Sequence, residues 1–191
     1  MQIKLIILDF DGTLVATEEA NMGAYVLALR EEGIELDTNE YRRRYFGMRC
    51  PEFLRELGIT NPDDIDRIRR RKIELYPTFF DSVRINEPLW NFVQNFRKQG
   101  GKVWIVSTGQ SENIENVMRY LGIESKVDGI LTSRDAIAPK PSPEAFLKAM
   151  EKEGVMPTET LIFEDSLVGL AAAAASGAPY IKVNLKTERE E

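Results

Sequence analysis

The strongest constraint in this sequence is an apolar run that stops at two carboxylates and a glycine: Lys4-Leu5-Ile6-Ile7-Leu8 leads directly into Asp9-Phe10-Asp11-Gly12-Thr13-Leu14. Ile3 to Leu8 is too short and too uniformly apolar for an amphipathic helix, so it predicts a strand buried on both faces. Asp9 then falls at the carboxyl end of that strand, where open α/β sheets collect their ligands. Asp11 follows two residues later, and Gly12 permits a sharp backbone turn beside it. Asp and Gly are also ordinary turn residues, so the motif gains meaning only from what else reaches the same end of the sheet.

Three further polar sites qualify. Ser107-Thr108 follows the apolar run Val103 to Val106, Glu164-Asp165 follows Leu161 to Phe163, and Lys140 stands between Pro139 and Pro141. The two prolines fix their own backbone angles and bias the residue before each towards extended geometry, which holds the lysine loop stiff.

Composition removes several alternatives. The sequence has 191 residues and no histidine, which takes away the commonest general base and zinc ligand and leaves carboxylates and lysine for acid-base or metal work. A net charge of -6 argues against sequence-independent nucleic-acid binding. The clusters Arg42-Arg43-Arg44 and Arg67 with Arg69-Arg70-Arg71-Lys72 read as solvated helix face. Cys50 is the single cysteine, no secretion signal is recognisable, and no apolar run reaches the roughly 20 residues a membrane helix needs. The expectation is a cytoplasmic protein with no nucleic-acid or membrane partner, monomeric, with a dimer left open.

In chain order, Thr17 to Arg30 has helical spacing and stops near Gly33; Tyr41 to Phe46, Pro51 to Leu57 and Asp63 to Tyr76 read as further helices. Nothing between Val15 and Asp81 reads as a strand. Helices are also expected from Pro88 to Gln99, from a Ser111 cap to Gly122, and from a Ser142 cap with Pro143 in first position to Gly154. Short strands at Val103 to Val106, Gly129 to Leu131, Leu161 to Phe163 and Tyr180 to Val183 alternate with them, and Leu170 to Ala175 forms an alanine-rich helix. The charged tail from Lys186 is expected to fray. This pattern predicts an α/β fold, a Rossmann-like parallel sheet flanked by helices, with residues 1–15 and 82–191 as core and 16–81 as an inserted α-helical cap.

The order and context of these residues resemble the haloacid dehalogenase superfamily of aspartate-nucleophile phosphotransferases. Asp9-Phe10-Asp11-Gly12-Thr13-Leu14 is similar to its first motif, Ser107 to its second, Lys140 with Pro141-Ser142-Pro143-Glu144-Ala145-Phe146 to its third, and Glu164-Asp165-Ser166 to its fourth. A helical cap inserted directly after the first motif resembles the β-phosphoglucomutase and phosphoglycolate-phosphatase branch. Phosphoryl transfer needs an oxygen nucleophile, neutralisation of the phosphoryl oxygens and a proton for the leaving group. Asp9 suits the nucleophile and Asp11 the acid that later serves as base. Ser107, Thr108 and Lys140 suit the phosphoryl oxygens. Mg²⁺ is the expected cofactor, held by Asp9, Asp165 and the backbone carbonyl of Asp11, with Glu164 either a ligand or an anchor behind the ligands.

The resemblance also places Arg49, in the Gly47-Met48-Arg49 loop, and Lys72 among cap contacts to substrate. Two departures stand out: Ala16 where the branch often carries an acid, and Asn21 where its mutases carry histidine. The expected function is a Mg²⁺-dependent phosphatase for a small phosphorylated metabolite. The alternatives are a β-phosphoglucomutase-type mutase and, in a different class, a phospho-accepting receiver-like signalling module.

Overall fold

The structure, a computed structural model, describes residues 2–135 and 138–185; the expectation for the tail from Lys186 lies outside them. Among the described residues seven strands are formed: β1 (Leu5–Leu8), β2 (Val15–Ala16), β3 (Arg84–Ile85), β4 (Lys102–Val106), β5 (Gly129–Leu131), β6 (Thr160–Glu164) and β7 (Tyr180–Lys182). Five of them build one sheet in the order β5-β4-β1-β6-β7, and every pairing is parallel. β1 is the middle strand and is buried along its whole length, which is what its uninterrupted isoleucine and leucine run requires.

Register then decides what the site contains. Leu8 pairs with Ile105 on one side and Phe163 on the other. The carboxyl ends of three adjacent strands are therefore level, and Asp9, Ser107 and Glu164 emerge together. The chain builds outward from β1 through β4 to β5, then returns to β1's other side with β6 and β7. That reversal opens the ligand crevice of doubly wound sheets beside β1.

β2 and β3 form a separate antiparallel ribbon, pairing Val15 with Ile85 and Ala16 with Arg84. This corrects the expectation that no strand lies between Val15 and Asp81. A strand of two residues cannot display a period of two, and its partner is distant in sequence. Asn86 braces the same place, donating from its backbone N–H to Leu14 O at 2.8 Å and from its side chain to Thr13 O at 3.1 Å.

The chain divides into two compact units: one runs through Ala16 and resumes at Arg84, and the other is Thr17–Val83. The second unit contains α1 (Glu18–Glu31), the short α2 (Thr38–Glu40), α3 (Cys50–Glu56) and α4 (Pro62–Leu75), and no strand. Its core is aromatic, with Tyr25 and Phe53 packed edge to face at 4.8 Å. Tyr41 to Tyr45 forms a wide turn, closed by Phe46 N–H donating to Tyr41 O, where an ordinary helix was expected. The extra residue in that turn lets both Tyr41 and Tyr45 be buried. Asn61 caps α4 by accepting from Asp63 N–H at 2.9 Å. The arginine clusters are ion-paired: Arg42 with Glu19, Arg44 with Glu56, Arg67 with Glu32, Arg69 and Arg70 with Asp66, and Arg71 with Glu31.

The sheet unit carries α5 (Glu87–Lys98), α6 (Ser111–Leu121), α7 (Glu144–Glu153) and α8 (Leu167–Ser176). Two cap expectations shift by one residue. Gln110 occupies the cap of α6, and the Ser111 hydroxyl is instead 2.5 Å from Thr132 Oγ1, tying the helix start to the loop after β5. Pro143 occupies the cap of α7, with Ser142 Oγ accepting from Glu144 N–H at 3.3 Å. Ala172 and Ala173 of α8 are buried in one cluster with Leu5, Ile7 and Ile162, so the alanine run lets helix and sheet approach closely. Among the described residues, no helix is long and apolar enough to cross a membrane.

Candidate active site

Asp9 follows β1 and is fixed by its backbone, whose N–H donates to Phe163 O at 3.0 Å. Lys140 reaches it from the proline loop, with Nζ 2.5 Å from Asp9 Oδ1 and 2.5 Å from Glu164 Oε2. All three side chains are almost fully buried, at 4% exposure for Lys140, 9% for Asp9 and 0% for Glu164. The Phe146 ring lies 5.3 Å from the same ammonium. Burial pushes the Asp9 carboxyl well above the ordinary range; the Lys140 charge opposes this, while Glu164 and Asp165 add to it. Burial acts to lower Lys140, but its two carboxylate partners together raise it above the usual lysine value.

Glu164 is held from two directions. Oε2 takes the lysine, and Oε1 accepts from the backbone N–H groups of Asp165 and Ser166, both at 3.1 Å, and from the Ser166 hydroxyl at 2.9 Å. Asp165 is oriented by Thr13, whose hydroxyl donates to Oδ1 at 2.8 Å. Burial raises the Asp165 carboxyl, the Thr13 hydrogen bond lowers it, and the Glu164 charge raises it again. Gly12 sits underneath with φ +84°, and a Cβ there would fall 2.5 Å from Asp165 Oδ2. Glycine is thus demanded twice, by conformation and by space.

Asp9, Glu164 and Asp165 each bring a carboxylate oxygen within 4.8 Å of the other two. The donors are all hard oxygens, and burial first, then the neighbouring Glu164 charge, raises the carboxyls of Asp9 and Asp165, a strain that a bound cation would relieve. That donor set fits Mg²⁺.

Asp11 lies on the turn after β1, where Gly12 N–H donates to Val15 O at 2.9 Å. The loop after β4 comes against it: a Cβ on Gly109 would be 3.1 Å from Asp11 Oδ2 and 3.2 Å from Ser107 Oγ. Ser107 is buried, and its hydroxyl accepts from Gly109 N–H at 3.0 Å, which leaves its own proton to donate. Thr108 is half-buried on the same loop, and Ser133 N–H holds that loop from behind by donating to Gly109 O.

In the helical unit, Lys72 Nζ donates to Asn21 Oδ1 at 2.6 Å and lies 3.9 Å from the Tyr76 ring centroid. Asn21 Nδ2 donates to Thr17 O at 3.1 Å and to Tyr76 Oη at 3.4 Å. Lys72 is buried, whereas Arg49 is exposed at the cap position of α3. The structure therefore gathers Asp9, Asp11, Ser107, Lys140, Glu164 and Asp165 at one end of the sheet, and Asn21 with Lys72 in the helical unit. Sequence reasoning gave no role to Tyr76 or Gly169 and no partner to Thr13. No local signal could have supplied these, because their contacts are made by folding.

A family profile described as haloacid dehalogenase-like hydrolase matches residues 6–183. The fructose-1-phosphate phosphatase YqaB of Escherichia coli is 27% identical over 94% of this chain and 96% of its own length. The pyrophosphatase PpaX of Bacillus mycoides is 25% identical over 96% of this chain and 85% of its own. Among solved structures, CbbY from Rhodobacter sphaeroides in complex with phosphate superposes with a TM-score of 0.86 at 26% identity, covering 100% of this chain and 90% of that one. Motifs, sheet order and family match agree, and this chain is an enzyme of the haloacid dehalogenase-like hydrolase family.

Proposed function

We propose that this hydrolase is a Mg²⁺-dependent phosphatase that cleaves a small phosphorylated metabolite through an aspartyl-phosphate on Asp9. The observation that carries the reading is the Asp9–Lys140–Glu164 arrangement at the carboxyl end of the central strand, with Asp165 beside it. The relatives named as phosphatases support the substrate class. Membership of a hydrolase family disfavours the receiver-like alternative.

An Asp9 carboxylate oxygen attacks phosphorus, and the bond from phosphorus to the ester oxygen breaks as the acyl phosphate forms. Asp11 gives a proton to the departing oxygen. Water then attacks the same phosphorus and yields its proton to Asp11; the bond to Asp9 breaks and inorganic phosphate leaves. Lys140 meets the negative charge on the phosphoryl oxygens, and Ser107 donates a hydroxyl to one of them. Asp9, Asp165 and the Asp11 carbonyl would hold Mg²⁺, which when bound would supply charge neutralisation for the carboxylates and the phosphoryl oxygens.

The Thr17–Val83 unit acts in this reading as a lid that selects the substrate, with Arg49 and Lys72 as the cations it brings to that choice. Asn21 favours hydrolysis over mutase chemistry, since an amide cannot titrate between half-reactions.

The test is hydrolysis of p-nitrophenyl phosphate with Mg²⁺, alongside a panel of sugar phosphates, phosphoglycolate and nucleotides. Activity should vanish in EDTA and in Asp9→Asn while the protein stays folded, and Arg49→Ala should reorder the panel. Near-normal turnover by Asp9→Asn would defeat the mechanism.

A further inference from the structure

Glu164 is a heavily bonded carboxylate, and α8 is built around it. Ser166 caps α8 by accepting from Gly169 N–H at 3.0 Å, while its own hydroxyl donates to Glu164 Oε1. Gly169, three residues further on, lies directly over the same carboxyl group. A Cβ at Gly169 would overlap Glu164 Cδ and both of its oxygens. The Gly169 backbone is ordinary right-handed helix, so space alone demands glycine there.

We propose that Gly169 and Ser166 are positioning residues for the Lys140 ammonium, acting through Glu164. The proposal rests on the reading of Lys140 as the cation that meets the phosphoryl group. α8 cannot retreat to make room for a larger residue, because Ala172 and Ala173 seat it against the sheet. The Glu164 side chain must move instead, and to do so it leaves Lys140, both backbone N–H groups and the Ser166 hydroxyl. Lys140 then keeps Asp9 as its anchor and is drawn away from the point where it has to meet the substrate. Misplacement of a charged group by about 1 Å costs about 100-fold in rate.

Gly169→Ala should therefore lower kcat for p-nitrophenyl phosphate about 100-fold with little change in KM. Glu164→Gln keeps the side chain's size and should behave alike. The double variant should be no slower than Glu164→Gln alone, because both changes act on one link. A merely structural role for Gly169 predicts additive losses. Wild-type kcat in Gly169→Ala or additivity in the double variant would each overturn the proposal. Urea denaturation in EDTA gives a reading independent of turnover: Gly169→Ala should cost less stability in a Lys140→Met background than in the wild type. An inactive wild type would refute the phosphatase reading, while this stability cycle would still decide the link from Gly169 to Lys140.

Discussion

Lys140→Met isolates the charge balance of the buried site. The substitution keeps an unbranched apolar stem but removes the ammonium that bonds both Asp9 Oδ1 and Glu164 Oε2 at 2.5 Å. Removing one partner of a buried ion pair costs about 3–5 kcal/mol, because the remaining charge stays desolvated. With a urea slope of about 2 kcal/mol per molar, the midpoint should fall by about 1.5–2.5 M in EDTA at pH 7.5. Trp90 and Trp104 are both buried in the sheet unit, so tryptophan fluorescence reports the unit that holds Lys140.

The pH dependence follows from Asp9. Its carboxyl is already raised in the folded protein by burial, and losing the Lys140 charge raises it further. A raised folded-state pKa means that the folded protein holds the proton more tightly than the unfolded chain, so stability grows as pH falls through Asp9's folded value towards about 3.9. The penalty of Lys140→Met should therefore shrink from pH 7.5 to pH 5.5. Lys140 has a linkage of the same sign in a higher window: its raised value gives wild-type stability that is fully present at neutral pH and lost as pH rises above the ordinary lysine range. Adding Asp9→Asn to Lys140→Met should recover part of the loss by removing one stranded carboxylate. A variant as stable as wild type at pH 7.5, or one whose deficit widens on acidification, would refute this account.

Two further outcomes are expected. Gly12→Ala places a side chain at φ +84° against Asp165 and should cost about 1–2 kcal/mol by urea denaturation and weaken the response of activity to Mg²⁺; unchanged behaviour in both would show that the turn is not strained. Enzyme supplied with β-glucose 1-phosphate, Mg²⁺ and catalytic glucose 1,6-bisphosphate should release phosphate without rapid formation of glucose 6-phosphate, and the reverse ratio would establish a mutase.

What the sequence disclosed follows the range of each interaction. β1 was legible because a strand buried on both faces must be apolar throughout, and Asp9, Ser107 and Glu164-Asp165 were legible because each closes such a run. The ribbon of Val15–Ala16 with Arg84–Ile85 was not, since two residues have no pattern. Ser111 was read as a cap because serine favours that position, but its hydroxyl faces Thr132, a neighbour that only the sheet creates. The two possibilities for Glu164 stayed open for the same reason. Its bonds to Lys140 and the shielding by Gly169 depend on how closely α8 packs, and no local pattern encodes that distance.

The β2–β3 ribbon has a consequence for how such a protein can change over evolutionary time. The two points at which the chain departs from the sheet unit and rejoins it are the two sides of one rung of an antiparallel ladder, the pair Ala16 and Arg84. Whatever lies between them begins and ends at the same place, so lengthening, shortening or exchanging that segment leaves the register of β1 against β4 and β6 untouched. The entropic cost of closing a longer loop grows only logarithmically. Under the proposed function, wholesale replacement of that one segment rewrites substrate preference and leaves the residues around Asp9 in place.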